Sequence, residues 1–266
     1  MNEYFFSERG IYYRTNIFRV GIPILVFVHG LSGSSSAWKR YETAFEDTYN
    51  VLSLDLRGHG KSVKPSGSHE YQLRHFVGDL RDLLDHLGIK QCILISHSFG
   101  TLITLEFLLT YQNRVQAAVF LSPNITIARR WSARLIQPLV WLGMRIFEYI
   151  PIFSRTGTHI DYDRYRNTGD WNVRRMFADV RNTGVRIYLY CLYHSYAFDR
   201  EDSLEKIAVP VLIMHGKNDT IFPVENAIIA ARRIKHSTLV LLDDADHILV
   251  LNHFPEVSAA LSDFFK

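Results

Sequence analysis

Between Gln91 and Tyr111 the chain is dominated by apolar residues, and the one polar break is Ser96-His97-Ser98. The first part, Gln91–Ser96, has the length and β-rich content of a short strand. The second, Phe99–Tyr111, reads as a helix that is apolar nearly all round. Neither element has a polar face to offer to water, so both need cover on two sides, which points to a parallel sheet with helices on both faces. The junction constrains the chain further. Ser98 is flanked by small residues two before (Ser96) and two after (Gly100), as a sharp strand–turn–helix bend requires, and such a bend lifts the Ser98 hydroxyl to its tip.

The rest of the chain repeats this alternation. Tyr4 to Phe18, with Arg9-Gly10 between two aromatic-rich arms, reads as a β-hairpin. Strands are expected over Ile24–His29, Asn50–Asp55, Val115–Leu121, Val209–His215 and Thr238–Leu242. Helices are expected over Ser36–Phe45, Val224–Ile234 and Pro255–Phe265. Tyr71–Leu87 is amphipathic, with Leu73, Phe76, Val77, Leu80, Leu83, Leu84 and Leu87 at helical spacing. From about Pro123 to Ala208 the alternation stops. That stretch is rich in arginine and aromatic residues, and its helical patterns are broken by Pro138, Pro151, Gly157 and Gly184. It is too long for a bare loop and reads as a helical insertion over the strand ends.

Composition removes several classes. With 266 residues, 47% hydrophobic and 21% charged, the chain matches an ordinary globular composition. A net charge of +3, spread along the chain, argues against nucleic acid as the main partner. The run Leu135–Glu148 is interrupted by Arg145 and falls short of a membrane span. It reads as an amphipathic helix packed on the body and leaves interfacial contact with lipid open. Cys92 and Cys191 are expected as two buried thiols rather than a disulfide, with no metal-ligand spacing. No secretory pattern opens the chain, and the cytoplasm is the expected compartment, with a monomer or homodimer as the expected assembly.

Ser96-His97-Ser98-Phe99-Gly100 resembles the G-x-S-x-G nucleophile elbow of the α/β-hydrolase fold, with Ser96 in place of the first glycine. In that family the order is nucleophile, acid, histidine, each after a strand. The resemblance therefore implies Ser98 as nucleophile, Asp219 in Gly216-Lys217-Asn218-Asp219 as acid, and His247, after the last expected strand, as base. Taken alone, His247 reads equally as a solvated loop histidine. Some relatives carry the acid one strand earlier, but Leu121-Ser122-Pro123-Asn124 offers no carboxylate. Asp243, Asp244 and Asp246 read as a solvated acidic turn. The oxyanion donors implied are the amides of Phe99 and of Leu31, which follows His29-Gly30. Asp55-Leu56-Arg57-Gly58-His59-Gly60-Lys61-Ser62 matches the family's D-x-R-G-x-G-x-S loop and is assigned to architecture, with Asp55 and Arg57 in local hydrogen bonds and no catalytic part for His59.

The resemblance covers residues 20–125 and 207–266, and implies a mostly parallel central sheet with a helical cap inserted after the sixth strand. Residues 1–123 and 208–266 would form the hydrolase core and 124–207 the cap. The expected activity is cleavage of carboxylic esters of small to medium or aromatic acyl groups, extending to monoacylglycerols, with no metal or organic cofactor. Cap aromatics such as Trp131 and Trp141 are candidate substrate contacts, though most cap aromatics read equally as the cap's own core, and its arginines as a solvated face. A serine at the elbow excludes the haloalkane dehalogenases and epoxide hydrolases, which use aspartate there. The alternatives are a lactone or carbon–carbon bond hydrolase of the same fold, or a ligand receptor that keeps the triad with little turnover.

Overall fold

The computed structural model describes residues 1–127, 131–150 and 157–266, with only the backbone described at Trp131 and Ser132. β1 (Asn2–Phe6) and β2 (Ile11–Thr15) form the hairpin, starting at Asn2 rather than Tyr4, with Phe6 opposite Ile11. They are followed by β3 (Ile24–Val28), α1 (Lys39–Phe45), β4 (Asn50–Leu54), α2 (Leu73–His86), β5 (Cys92–His97), α3 (Phe99–Tyr111) and β6 (Val115–Leu121). Next come α4 (Trp131–Tyr149), α5 (Val173–Thr183) and α6 (Val185–Ser195), then β7 (Val211–Gly216), α7 (Glu225–Arg233), β8 (Ser237–Leu242), α8 (Leu249–Asn252) and α9 (Phe254–Phe264).

The eight strands lie in the order β1-β2-β4-β3-β5-β6-β7-β8. β2 pairs antiparallel with β4, and every pairing from β4 to β8 is parallel. Alternate residues serve opposite faces. Val26, Leu52, Leu94 and Phe120 pack with α2 and α3, whereas Leu25, Phe27, Ile95 and Leu212 pack with Trp38, Tyr41 of α1 and Leu261 of α9. This two-sided burial is why the strand sequences are apolar without alternation.

The stretch between β6 and β7 is helical, and its pairing with itself among the described residues is one isolated bridge, Thr126 with Asp199. There the two ends meet as a neck: Ile127 N donates to Phe198 O (2.9 Å) and Arg200 N to Ile125 O (3.0 Å). Two expectations are corrected and one holds. Pro138 does not break its helix: α4 runs through it, at the cost of one intrahelical hydrogen bond. Gly184 does divide α5 from α6, at φ +95°. α2 begins at Leu73, because Ser68–Tyr71 forms a 3-10 turn and Gln72 is extended. α4 buries Val140 and Met144, while Leu135, Leu139, Leu142 and Ile146 point outward, half or more exposed. No helix of the described residues is long and apolar enough to cross a membrane. Cys92 and Cys191 are buried and unpaired, and burial raises both thiols, Cys92 to about 12.

Candidate active site

Ser98 joins β5 to α3 with φ +52° and ψ −118°, a strained conformation for a residue with a side chain. Its N–H donates to Leu121 O at the end of β6 (3.0 Å). Ser96, where the family pattern has glycine, is fully buried, and its hydroxyl donates to Val119 O (3.1 Å), so the extra atoms are accommodated. Gly100 has no such room: a Cβ there would lie 2.6 Å from Val28 O and 2.7 Å from His29 O.

The structure brings Ser98, His247 and Asp219 together, from the loops after β5, β8 and β7. His247 Nε2 lies 2.8 Å from Ser98 Oγ, and His247 Nδ1 lies 2.8 Å from Asp219 Oδ2. An ionised carboxylate only accepts, so Nδ1 carries the proton and Nε2 is left to accept from the serine hydroxyl. The Asp219 side chain has no exposed surface. Its Oδ1 accepts from Ile221 N and Phe222 N, both at 2.8 Å, and His215 Nε2 lies 3.2 Å from Oδ2. Burial pushes this carboxyl up, but the hydrogen bond and charge of His247 and the bond from Phe222 N outweigh it, so the group lies below its ordinary value and stays ionised.

Leu31 and Phe99 line the same cavity as Ser98. Phe99 is the first residue of α3, so its N–H is one that a helix leaves without an intrahelical acceptor. Opposite them the cavity, about 470 Å³, is walled by Ile136 of α4, Met176 and Val180 of α5, and Tyr188 and Leu192 of α6. Trp131 as a substrate contact falls on a side chain outside the described residues. Trp141, five positions beyond Ile136, is turned well round α4; it is about half exposed and does not line the cavity. Trp171 does line it.

The loop after β4 reaches much further than local hydrogen bonds. Asp55 accepts from Ser35 N (2.7 Å), Lys61 N (2.7 Å) and His159 Nε2 (2.8 Å), and Arg57 grips both oxygens of Asp79 on α2 (2.6 and 2.5 Å). His59 is fully buried and off the cavity wall, and burial pushes its imidazole down to about 3, so it stays neutral. The acidic turn before His247 is not wholly solvated either: Asp246 accepts from Ile248 N (2.9 Å) and Asn252. Nor are the arginines of the α4–α6 stretch all on a solvated face, since Arg175 is buried.

Three residues near the site had no role assigned to them from the sequence. His97 Nε2 donates to His247 O (2.9 Å), as does Ser122 Oγ (3.0 Å). Asp170 accepts from His247 N (2.8 Å). Only His97 stood inside a recognisable pattern, as the variable position of the elbow. Among the described residues no group of His, Cys, Asp and Glu is placed to hold a metal ion.

Residues 23–254 match the family model of the alpha/beta hydrolase fold. The chain belongs to that family. Among relatives of this alpha/beta hydrolase, Epoxide hydrolase 4 of Homo sapiens is 23% identical over 264 residues, covering 92% of this chain and 73% of its own length. 3-Oxoadipate enol-lactonase 2 of Acinetobacter baylyi is 28% identical over 228 residues, covering 85% and 82%. A hydrolase from Pseudomonas aeruginosa PA01 has the same fold, with a TM-score of 0.74 at 20% identity over 96% of this chain and 94% of its own.

Proposed function

We propose that this alpha/beta hydrolase cleaves carboxylic esters through an acyl-enzyme on Ser98. The observation that carries the reading is the unbroken path Ser98 Oγ–His247 Nε2 and His247 Nδ1–Asp219 Oδ2, 2.8 Å at each step, opening on a mostly apolar cavity. Ser98 Oγ attacks the acyl carbonyl as His247 Nε2 takes its proton. Asp219 holds the imidazole and stabilises its charged form. The Leu31 and Phe99 amides stabilise the oxyanion, and the proton on Nε2 passes to the leaving alcohol. Water then attacks the acyl-enzyme, giving its proton to His247, and the acid leaves as Ser98 recovers its hydrogen. Residues 1–123 and 208–266 act as the catalytic core, with 124–207 as a cap that shapes the acyl pocket. A cavity of about 470 Å³ suits small to medium or aromatic acyl groups, and the outward apolar stripe of α4 suits esters presented at a lipid interface.

The relative named as an enol-lactonase favours a second substrate form, a cyclic ester, which the same steps open with the leaving alcohol tethered. An epoxide substrate is disfavoured by serine rather than aspartate at the elbow. The test is a panel of p-nitrophenyl esters of graded chain length, lactones beside them, and a fluorophosphonate probe. Ser98→Ala and His247→Ala are expected to lose roughly a thousandfold or more of turnover with unchanged circular dichroism. Turnover surviving in purified Ser98→Ala overturns the assignment.

A further inference from the structure

His247 and Asp219 belong to different loops, and their 2.8 Å contact requires those loops to be kept in register. Both loops converge on one carboxylate from neither of them. Asp170 precedes α5, far along the chain from both loops, and is only 7% exposed. Its Oδ1 accepts from His247 N (2.8 Å), and its Oδ2 accepts from Thr220 N (2.9 Å) and Thr220 Oγ1 (2.7 Å). Thr220 directly follows Asp219. Asp170 is itself anchored: Arg175 Nη2 of α5 donates to its carbonyl oxygen (2.6 Å). The neighbouring Trp171 Nε1 donates to Thr220 Oγ1 (2.9 Å), adding a second tie to the acid loop. His247 is thus gripped at both ends of its backbone. His97 and Ser122, at the ends of β5 and β6, hold its carbonyl oxygen, and Asp170 holds its N–H.

We propose that Asp170 is a positioning residue that clamps the His247 and Asp219 loops together, so that the three reacting side chains reach working distance only when the α4–α6 stretch is seated on the core. This rests on the ester-hydrolase reading of Ser98, His247 and Asp219. The chemistry of the donors explains why a carboxylate stands here. Three N–H and O–H groups point inward, and an ionised carboxylate has acceptors for all of them and no hydrogen of its own to oppose them. A carboxamide of the same shape has one oxygen and turns an NH₂ toward a donor. Asparagine is therefore a damaging replacement at this position even though it fits.

The experiment compares Asp170→Ala, Asp170→Asn and Thr220→Val with the unaltered protein, each normalised by active-site titration with a fluorophosphonate. Asp170→Ala is expected to lower kcat roughly 10- to 100-fold at nearly constant KM, because it displaces the base rather than the substrate. Asp170→Asn falls between it and the unaltered protein, and Thr220→Val loses a few-fold at most. A second readout needs no substrate. The His247 Nδ1–H proton shared with Asp219 gives a low-field NMR resonance, which broadens or vanishes in Asp170→Ala and persists in Ser98→Ala. Where Asp170→Ala does not fold, Asp170→Asn carries both measurements. Unchanged kcat per titrated site together with an unchanged resonance overturns the clamp. If the unaltered protein turns over no ester and takes up no probe, the ester reading fails, and the resonance alone still decides the clamp: its loss supports it and its persistence refutes it.

Discussion

Asp55 has no exposed side-chain surface and still carries a charge. Burial alone would raise its carboxyl, but the hydrogen bond and electrostatic pull of His159, the field of His29 and the bond from Ser35 N bring it down to about 2. Such a group ionises more readily in the folded chain than in the unfolded one. Its stabilisation is complete above the ordinary 3.8 and drains away as pH falls toward about 2. The difference amounts to about 2 kcal/mol. Urea midpoints measured from pH 7 downward should show the unaltered protein losing that much more than Asp55→Asn, which starts less stable and lacks this acid-induced fall. Parallel losses in the two proteins would remove Asp55 as the source. The residues that were legible in the sequence share one property: each sits at a fixed place in a local pattern. Ser98 occupies a bend, Asp219 follows a strand and Gly216, and His247 follows the last strand. Asp170 and His159 do their work between loops far apart in the chain, and no spacing announces them.

At the scale of elements, α3 is seated unusually close to β3, and Gly100 is the reason. A methyl at Gly100 would press on two backbone carbonyl oxygens at 2.6 and 2.7 Å, where nothing flexible can give way. Glycine to alanine in a helix ordinarily gains up to about 1 kcal/mol. Overpacking against rigid backbone costs about 1–3 kcal/mol, so the clash wins. Gly100→Ala is expected to lower Tm and, by pushing α3 off the loop that carries Leu31, to lower kcat as well. Gly78 of α2 is the internal control: a Cβ there meets nothing within 4 Å, so Gly78→Ala is expected to raise Tm slightly with activity intact. Thermal melts of the pair decide it, and a destabilised Gly78→Ala with an unaffected Gly100→Ala would reverse the packing argument. The same distinction explains which elements could be read beforehand. β6 and α3 begin and end where the apolar pattern does, because burial alone defines them. α8 is a single turn, too short for a helical period to register, and α4 keeps Pro138 because packing along Val140 and Met144 outweighs one missing hydrogen bond.

For the molecule as a whole, the decisive geometry is the neck at which the α4–α6 stretch leaves and rejoins the sheet. Ile125–Ile127 and Phe198–Arg200 are already hydrogen-bonded side by side, so a short turn from Ile127 to Phe198 closes that gap at little entropic cost. The last residues of the 124–207 stretch rest on the core rather than over the site, since Arg233 of α7 pairs with Glu201 (3.4 Å) and Glu205 (3.2 Å). Replacing residues 128–197 by such a turn should therefore leave a chain that still unfolds cooperatively. Its Tm should fall, because Tyr190 and Ile187 no longer cover Tyr71 and the bond from His159 to Asp55 is gone. Ser98 should remain but react with a fluorophosphonate more slowly than in the full chain, since Asp170 leaves with the excised stretch, and discrimination among ester chain lengths should flatten as the wall formed by Ile136, Met176, Val180 and Tyr188 disappears. Circular dichroism melts and labelling rates measure the two consequences separately. A shortened chain without a cooperative melt would mean that the stretch is part of one indivisible core, whereas a cooperative melt with undiminished labelling would leave the sheet and its loops sufficient to assemble the site by themselves.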